Sequence, residues 1–141
     1  MNVINWIYIV DDTGEPIFIY ESYVQGSKGS SMALLSHILF ALKSTASQLD
    51  DNEIRVMKMS NNKFFLTKDP ITKYVIILKT DKKEKTKEIR NILTNIKKIF
   101  TIKYANKIHE KSEKKPKLIE SFKYDIWKYL NLGVGFDSLL N

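Results

Sequence analysis

The sequence predicts an α+β fold: a five-stranded, mainly antiparallel sheet with helices packed on its faces, in the order β-β-α-β-β-β-α-α. Two observations predict the elements. Five short segments are rich in β-branched and aromatic residues and are separated by turn residues. Three longer segments repeat apolar residues every three or four positions, which is the helical period. A third observation, the short connections within the first two and the last three strands, favours antiparallel neighbours.

The first two strands are residues 3–10 (VINWIYIV) and 17–23 (IFIYESY), joined by the turn sequence DDTGEP. A polar loop then leads to a helix over residues 30–49, which Ser30 or Ser31 can cap. Its core stripe is spaced by three and four residues: Met32, Leu35, Leu39, Leu42, Ala46 and Leu49.

A meander of three strands follows, at residues 53–60, 63–68 and 73–79, with predicted turns at Asn61-Asn62 and Asp69-Pro70. The alternation of apolar and polar residues slips by one at Val56–Met57. This slip predicts either a bulge or a strand that is buried on both faces.

The period becomes helical from about residue 82 to residue 108, and again after Pro116, a residue that suits a first helical turn. The third helix carries its own apolar stripe: Leu118, Ile119, Phe122, Ile126, Tyr129 and Leu130. We predict one domain over residues 1–131 and a tail over residues 132–141, since 141 residues suit a single domain.

Composition excludes several classes of protein. The chain is 43% hydrophobic, has 5 Gly, 3 Pro and no Cys, and carries a net charge of +7. It is therefore neither disordered nor collagen-like, and it has no disulfide framework or thiol nucleophile. No stretch reaches the roughly 20 apolar residues of a membrane span, and no signal peptide is evident. We expect a cytoplasmic protein, at most peripheral to membranes.

The sequence offers no catalytic constellation. His37 and His109 have no partners at metal-ligand spacing, and the acid pairs Asp11-Asp12 and Asp50-Asp51 fall in turns. We expect no catalytic residues, no metal, no cofactor and no enzymatic activity.

The helix over residues 30–49 is unusual on the side opposite its core stripe, where Ala33, His37, Phe40 and Ser44 fall. Lys43 is the only charged residue between residues 30 and 49, whereas a surface helix normally carries charges on its outer side. Two interpretations remain open: this helix lies under the second or third helix of the same chain, or these four residues contact a partner with Phe40 as an anchor.

The positive charge is concentrated in residues 79–117, which hold 13 Lys and Arg90 against five acids, a surplus of nine. The simplest interpretation is a solvated helix face and a lysine-rich loop. The functional one is contact with an anionic membrane surface, for which we select six residues: Lys82, Lys83, Lys97, Lys98, Lys114 and Lys115. A single Arg in this segment makes nucleic acid a less favoured partner.

The order of elements and three local sequences resemble longin domains. These are GEPIF at the first hairpin, SMALLSHILFALKSTASQL in the first helix and IRVMKMSNNKFFLTKDPITKYVIIL in the meander, which is similar to the longins of Mon–Ccz-type exchange factors. The resemblance spans residues 3–131 and extends to small archaeal longin proteins. The related roadblock fold usually begins with a helix, whereas this chain begins with a strand.

The resemblance implies binding rather than catalysis. Longin and roadblock domains pair with one another, and the pairs hold small Ras-like GTPases or act in vesicle trafficking. The first helix commonly lies at the pairing surface. By this resemblance we expect a homodimer or heterodimer with another longin or roadblock protein, and a small GTPase as a further partner.

Overall fold

A computed structural model describes residues 3–22, 45, 47–59, 61–109 and 115–132. Five strands form one sheet in the order β2-β1-β5-β4-β3, and each neighbouring pair is antiparallel. The strands are β1 Ile4–Val10, β2 Pro16–Glu21, β3 Arg55–Met59, β4 Asn62–Lys68 and β5 Val75–Asp81. The predicted α+β fold class is confirmed.

The helices after the sheet are α1 Thr86–Phe100, a π-helical turn Thr101–Ala105, the short α2 Asn106–His109, and α3 Lys115–Asn131. The helix predicted from residue 82 begins at Thr86, because the backbone N–H of Glu84 bonds to the carbonyl of Asp81 and makes a turn first. The wider π-helical turn separates buried Phe100 from buried Ala105 by five residues, so that the apolar side stays on the sheet.

One face of the sheet, here called the front face, is covered by α1 and α3. Both helices contribute buried residues to a single cluster with the strand residues of this face. The ring of Phe122 on α3 lies at its centre, with edge-to-face contacts to Phe18, Phe100 and Tyr104 at centroid distances of 4.8, 5.4 and 5.3 Å. Such pairs add to the stability from area burial.

The opposite face, here called the rear face, is also apolar and buried. Its cluster contains Trp6, Tyr8, Val10, Phe64, Leu66, Val75, Ile77 and, from outside the strands, Leu49. Consecutive residues of a strand point to opposite faces, so the continuous apolar runs of β1 and β5 serve both clusters. A register shift between Ile4 and Trp6 lets Ile4 and Ile7 share the front face.

Strand β3 resolves the slip at Val56–Met57. Its pairing with β4 runs without a break, so the predicted bulge is absent from this ladder. Val56 instead packs against the front cluster and Met57 against the rear cluster, which is the second alternative, contact on both faces. The predicted turn included Asn62, and the next strand was predicted to begin at residue 63. In the structure β4 begins one position earlier, because Asn62 already pairs with Met59.

Candidate functional site

The four predicted interface residues, Ala33, His37, Phe40 and Ser44, lie outside the described residues. The end of their helix is described: Thr45 and Ser47 are helical, Ser47 and Gln48 are exposed, and Leu49 is buried in the rear cluster. The core stripe therefore meets the rear face at this end. The rest of this helix lies outside the described residues, so both interpretations of it stay predictions.

The rear face carries polar groups among its aromatic residues. The hydroxyl of Tyr8 donates a hydrogen bond to Glu21 Oε1 at 3.0 Å, and burial together with this bond raises the pKa of Tyr8 to about 12. Among the described residues, the Nε1 atom of buried Trp6 finds no hydrogen-bond acceptor. The cross-strand neighbour of Trp6 is half-buried Lys79, whose pKa is lowered by burial.

The sheet ends on two strands, β2 and β3, whose outer edges pair with no other strand of the described chain. The side chain of Ile19 on β2 is 43% exposed, and Met59 on β3 is also exposed. An exposed strand edge offers unpaired backbone N–H and C=O groups to another chain. Both edges are therefore geometrically suited to pairing.

The six lysines selected for an anionic surface fall into different settings. Lys82, Lys83 and Lys98 are exposed, and Lys114 lies outside the described residues. Lys115 is half-buried and near Asp11. Burial raises the pKa of that carboxyl, but hydrogen bonds from Thr13 and the charge of Lys115 outweigh it, so the pKa lies below its usual value.

Lys97 is turned into the domain. Its Nζ donates to the backbone oxygen of Asp51 and to Thr67 Oγ1, the latter at 3.1 Å. Burial lowers the pKa of Lys97, and the nearby carboxylates of Asp51 and Asp69 oppose that effect. Because its ammonium is used within the domain, the anionic-surface prediction depends on the exposed lysines.

A groove of about 310 Å³ lies between the C-terminal half of α1 and the segments that flank β3 and β4. Its volume is at the lower end of the range for small-ligand pockets. Lysine stems, threonines and apolar side chains form its walls: Asn52, Ile54, Thr67, Pro70, Thr94, Lys97, Lys98, Thr101 and Ile102. Such a lining suits an apolar group that ends in a hydrogen-bond acceptor.

Two buried carboxylates hold the π-helical turn. Asp69 accepts hydrogen bonds from the N–H and Oγ1 of Thr72, both at 2.7 Å, and from Thr101 Oγ1. Asp125 on α3 accepts from the Tyr104 hydroxyl and from Lys103 Nζ, the latter at 2.8 Å. Sequence reasoning missed Asp125. The available signal was its position on the same helical side as Phe122 and Ile126.

The outer side of α3 carries two exposed aromatic rings, which sequence reasoning also missed. Tyr124 is 58% exposed and Trp127 is 43% exposed. Their rings stack with centroids 6.3 Å apart and an interplanar angle of 11°, and Lys128 Nζ lies 4.6 Å from the Tyr124 centroid. Neither residue belongs to the predicted apolar stripe of α3, and that off-stripe position was the signal.

Within the described part of the chain, no group of three or more His, Asp or Glu side chains could hold a metal ion. The side chain of His109 and all of His37 are outside that part. No helix among the described residues is long and apolar enough to cross a membrane.

Comparison with known proteins gives a structural likeness only. No protein-family model matches the sequence, and no characterised protein matches it by sequence. The crystal structure of MglC from Myxococcus xanthus is similar, with a TM-score of 0.52 and 9% sequence identity over 84% of this chain and 87% of that chain. MglC has a roadblock/longin fold. The chain therefore has a longin/roadblock-like fold.

Proposed function

We propose that the protein is a non-catalytic interaction module that pairs with a second longin or roadblock protein, or with itself, and binds a small Ras-like GTPase in a trafficking-type system. The observation that carries this proposal is the position of Leu49. Leu49, the last residue of the predicted 30–49 helix, is buried in the rear cluster of a longin/roadblock-like sheet, whereas α1 and α3 pack on the front face.

The helical period connects that position to the predicted interface. If the core stripe meets the rear face along the whole helix, Ala33, His37, Phe40 and Ser44 point away from the sheet. Ser47 and Gln48, which flank that outer side, are exposed at the described end. An outer side with small residues, one Phe and few charges suits close contact with another protein, since interface cores are depleted in charge.

Sedimentation equilibrium of the wild type and of Phe40→Asp tests self-pairing. We expect a dimer that Phe40→Asp converts into a monomer, because a buried unpaired carboxylate in an interface costs several kcal/mol. Tyr124→Asp is the matched control, since it places the same charge on an exposed aromatic position of α3. A wild type that stays monomeric at high micromolar concentration would argue against self-pairing. Only the heterodimer with a different longin or roadblock protein would then stand.

The GTPase part of the proposal is tested with purified Ras-like GTPases in their GDP-bound, GTP-analogue-bound and nucleotide-free forms. Preference for the nucleotide-free form would indicate that the module promotes exchange. Preference for the GTP-analogue form would indicate an effector or an activating role.

A second candidate function is peripheral binding to an anionic membrane. The observation that favours it is the exposure of Lys82 and Lys83 in the turn before α1 and of Lys98 on α1. Surface lysines near anionic lipid contribute about 1 kcal/mol each. Co-sedimentation with anionic vesicles that weakens as salt is added is the expected result.

A further inference from the structure

We propose that the outer surface of the α1–α3 helix layer is the membrane-contacting surface, with Tyr124 and Trp127 inserted at the level of the headgroups of an anionic bilayer. This inference rests on the second candidate function and adds to it the surface, the orientation and the anchoring residues.

The first step is the exposure of the two rings. Trp127 and Tyr124 stand side by side on α3 with parallel planes, one turn apart, and Leu132 at the end of the helix is 59% exposed. Large aromatic side chains normally bury most of their area. Trp and Tyr are also the residues enriched at membrane–water interfaces, where their rings lie among headgroups and their polar atoms stay hydrated.

The second step is the charge of the two helices that form this layer. The exposed side chains of α1 and α3 include five bases and two acids, a surplus of three positive charges: Lys87, Arg90, Lys98, Lys117 and Lys123 against Glu88 and Glu120. Lys128 Nζ lies 4.6 Å from the Tyr124 centroid, which adds a positive charge directly against the rings. Helices that bind membrane surfaces typically combine basic residues with Trp and other apolar side chains.

The third step is the placement of the two helices. Both pack on the front face through the same cluster, and Asn95 Nδ2 of α1 donates to the Tyr129 hydroxyl of α3 at 2.7 Å. Their outer sides therefore form one layer that faces away from the sheet. Leu49, which marks the proposed pairing helix, is on the opposite face. The protein could thus lie on a membrane and hold a protein partner at the same time.

An acidic protein segment is the competing occupant. In a protein interface, aromatic anchors fill pockets on the partner, and the centre of the interface is depleted in charge. Here the exposed bases are spread along two helices rather than gathered around one recess. A flat anionic surface fits that distribution better than a single acidic peptide does.

Tryptophan fluorescence tests the proposal, because the chain has only two Trp, and Trp6 is buried. In the Trp6→Phe variant the emission reports Trp127 alone. The protein is titrated with phosphatidylcholine vesicles, with and without phosphatidylserine, and with vesicles that carry brominated acyl chains as quenchers. We expect a shift to shorter wavelength and quenching of Trp127 with the phosphatidylserine vesicles, both reversed by salt.

Co-sedimentation of variants in the wild-type background distinguishes membrane binding as such from membrane binding through the α1–α3 helix layer. Trp127→Ala should weaken binding to phosphatidylserine vesicles about tenfold, and Lys123→Ala about fivefold, the effect of one surface lysine. Ile19→Ala is the matched control, since Ile19 has the same 43% exposure as Trp127 but lies on β2; it should leave binding unchanged.

Three outcomes contradict the assignment. In the first, vesicle binding is lost in Lys82→Glu/Lys83→Glu but unchanged in Trp127→Ala. The second candidate function would then stand, and the role of the helix layer would be overturned. No binding to phosphatidylserine vesicles would overturn both. Capture of an acidic peptide by the wild type, lost in Trp127→Ala while vesicles have no effect, would assign the layer to a protein partner instead.

Discussion

Tyr104→Phe tests whether the buried carboxylate of Asp125 ties α3 to the π-helical turn. The substitution keeps the ring, which packs edge-to-face on Phe122. It removes only the hydroxyl that donates to Asp125. A hydrogen bond to a charged group contributes about 1.5–3 kcal/mol. Since Lys103 Nζ still contacts the carboxylate at 2.8 Å, we expect a loss at the low end, about 1.5–2 kcal/mol.

Thermal unfolding followed by circular dichroism measures this loss. Unfolding a chain of 141 residues carries an entropy of about 0.3 kcal/mol/K, so 2 kcal/mol lowers Tm by about 6–7 °C. Asp125→Ala should lower the free energy of unfolding further, by about 3 kcal/mol, because it leaves the Tyr104 hydroxyl and the Lys103 ammonium without their acceptor. This value is at the low end of the range for a broken buried ion pair, since the Lys103 side chain is 28% exposed.

Tyr124→Phe is the control for this experiment, because it removes a hydroxyl from a ring that is 58% exposed. It should change Tm by less than about 2 °C, the shift that corresponds to 0.5 kcal/mol. The reasoning is refuted if Tyr104→Phe and Tyr124→Phe unfold at the same temperature.

Three further predictions concern the sheet and the core. Tyr8 should be among the last tyrosines to ionise in an alkaline absorbance titration, near pH 12, and Tyr8→Phe should remove that step. Because its folded pKa lies above the ordinary value of 10, its contribution to stability is complete below pH 10 and disappears as pH rises towards 12. Asp69→Ala should lower the free energy of unfolding in urea by about 3 kcal/mol, since buried N–H and hydroxyl donors lose a charged acceptor. An effect equal to that of Asp51→Ala, which removes a carboxylate that is 40% exposed, would contradict this. Phe122→Ala should cost about 3–5 kcal/mol by the same assay, and a loss below about 1 kcal/mol would show that the ring does not fill the front core.

The sheet could be predicted because its strands have strong local signals. Residues 6–10 and 74–78 are continuous apolar runs, which strands buried on both faces require. The structure places them as the neighbours β1 and β5, each in contact with both clusters. Turn residues such as Asp69-Pro70 ended the strands correctly, because the side chain of Asp69 bonds the N–H groups of the turn that follows.

The polar network could not be predicted, because periodicity assigns a residue to a side of a helix but not to a partner elsewhere in the chain. Lys97 was predicted to face an anionic surface, yet it reaches Asp51 and Thr67. Asp125 and Tyr104 meet only because α3 folds back beside the π-helical turn. Trp127 was not selected from the sequence either, although its position off the apolar stripe of α3 was compatible with the exposure that it has.

The predicted pairing residues remain a prediction for a similar reason. The sequence pattern of residues 30–49 predicts a side that is poor in charge, and of the predicted core stripe only Leu49 belongs to the described residues. The identity of the protein that contacts Phe40 depends on the shape and charge of that second protein, which the sequence of this chain does not encode.

Binding of a purified Ras-like GTPase is the measurement that tests the central claim most directly. Isothermal titration of the full chain, alone and together with the longin or roadblock protein that pairs with it, should detect a complex whose affinity depends on the bound nucleotide. The proposal predicts that Phe40→Asp weakens this complex while Tyr124→Asp does not. A folded chain, with its pairing partner present, that binds no Ras-like GTPase in the GDP-bound, GTP-analogue-bound or nucleotide-free form would contradict it.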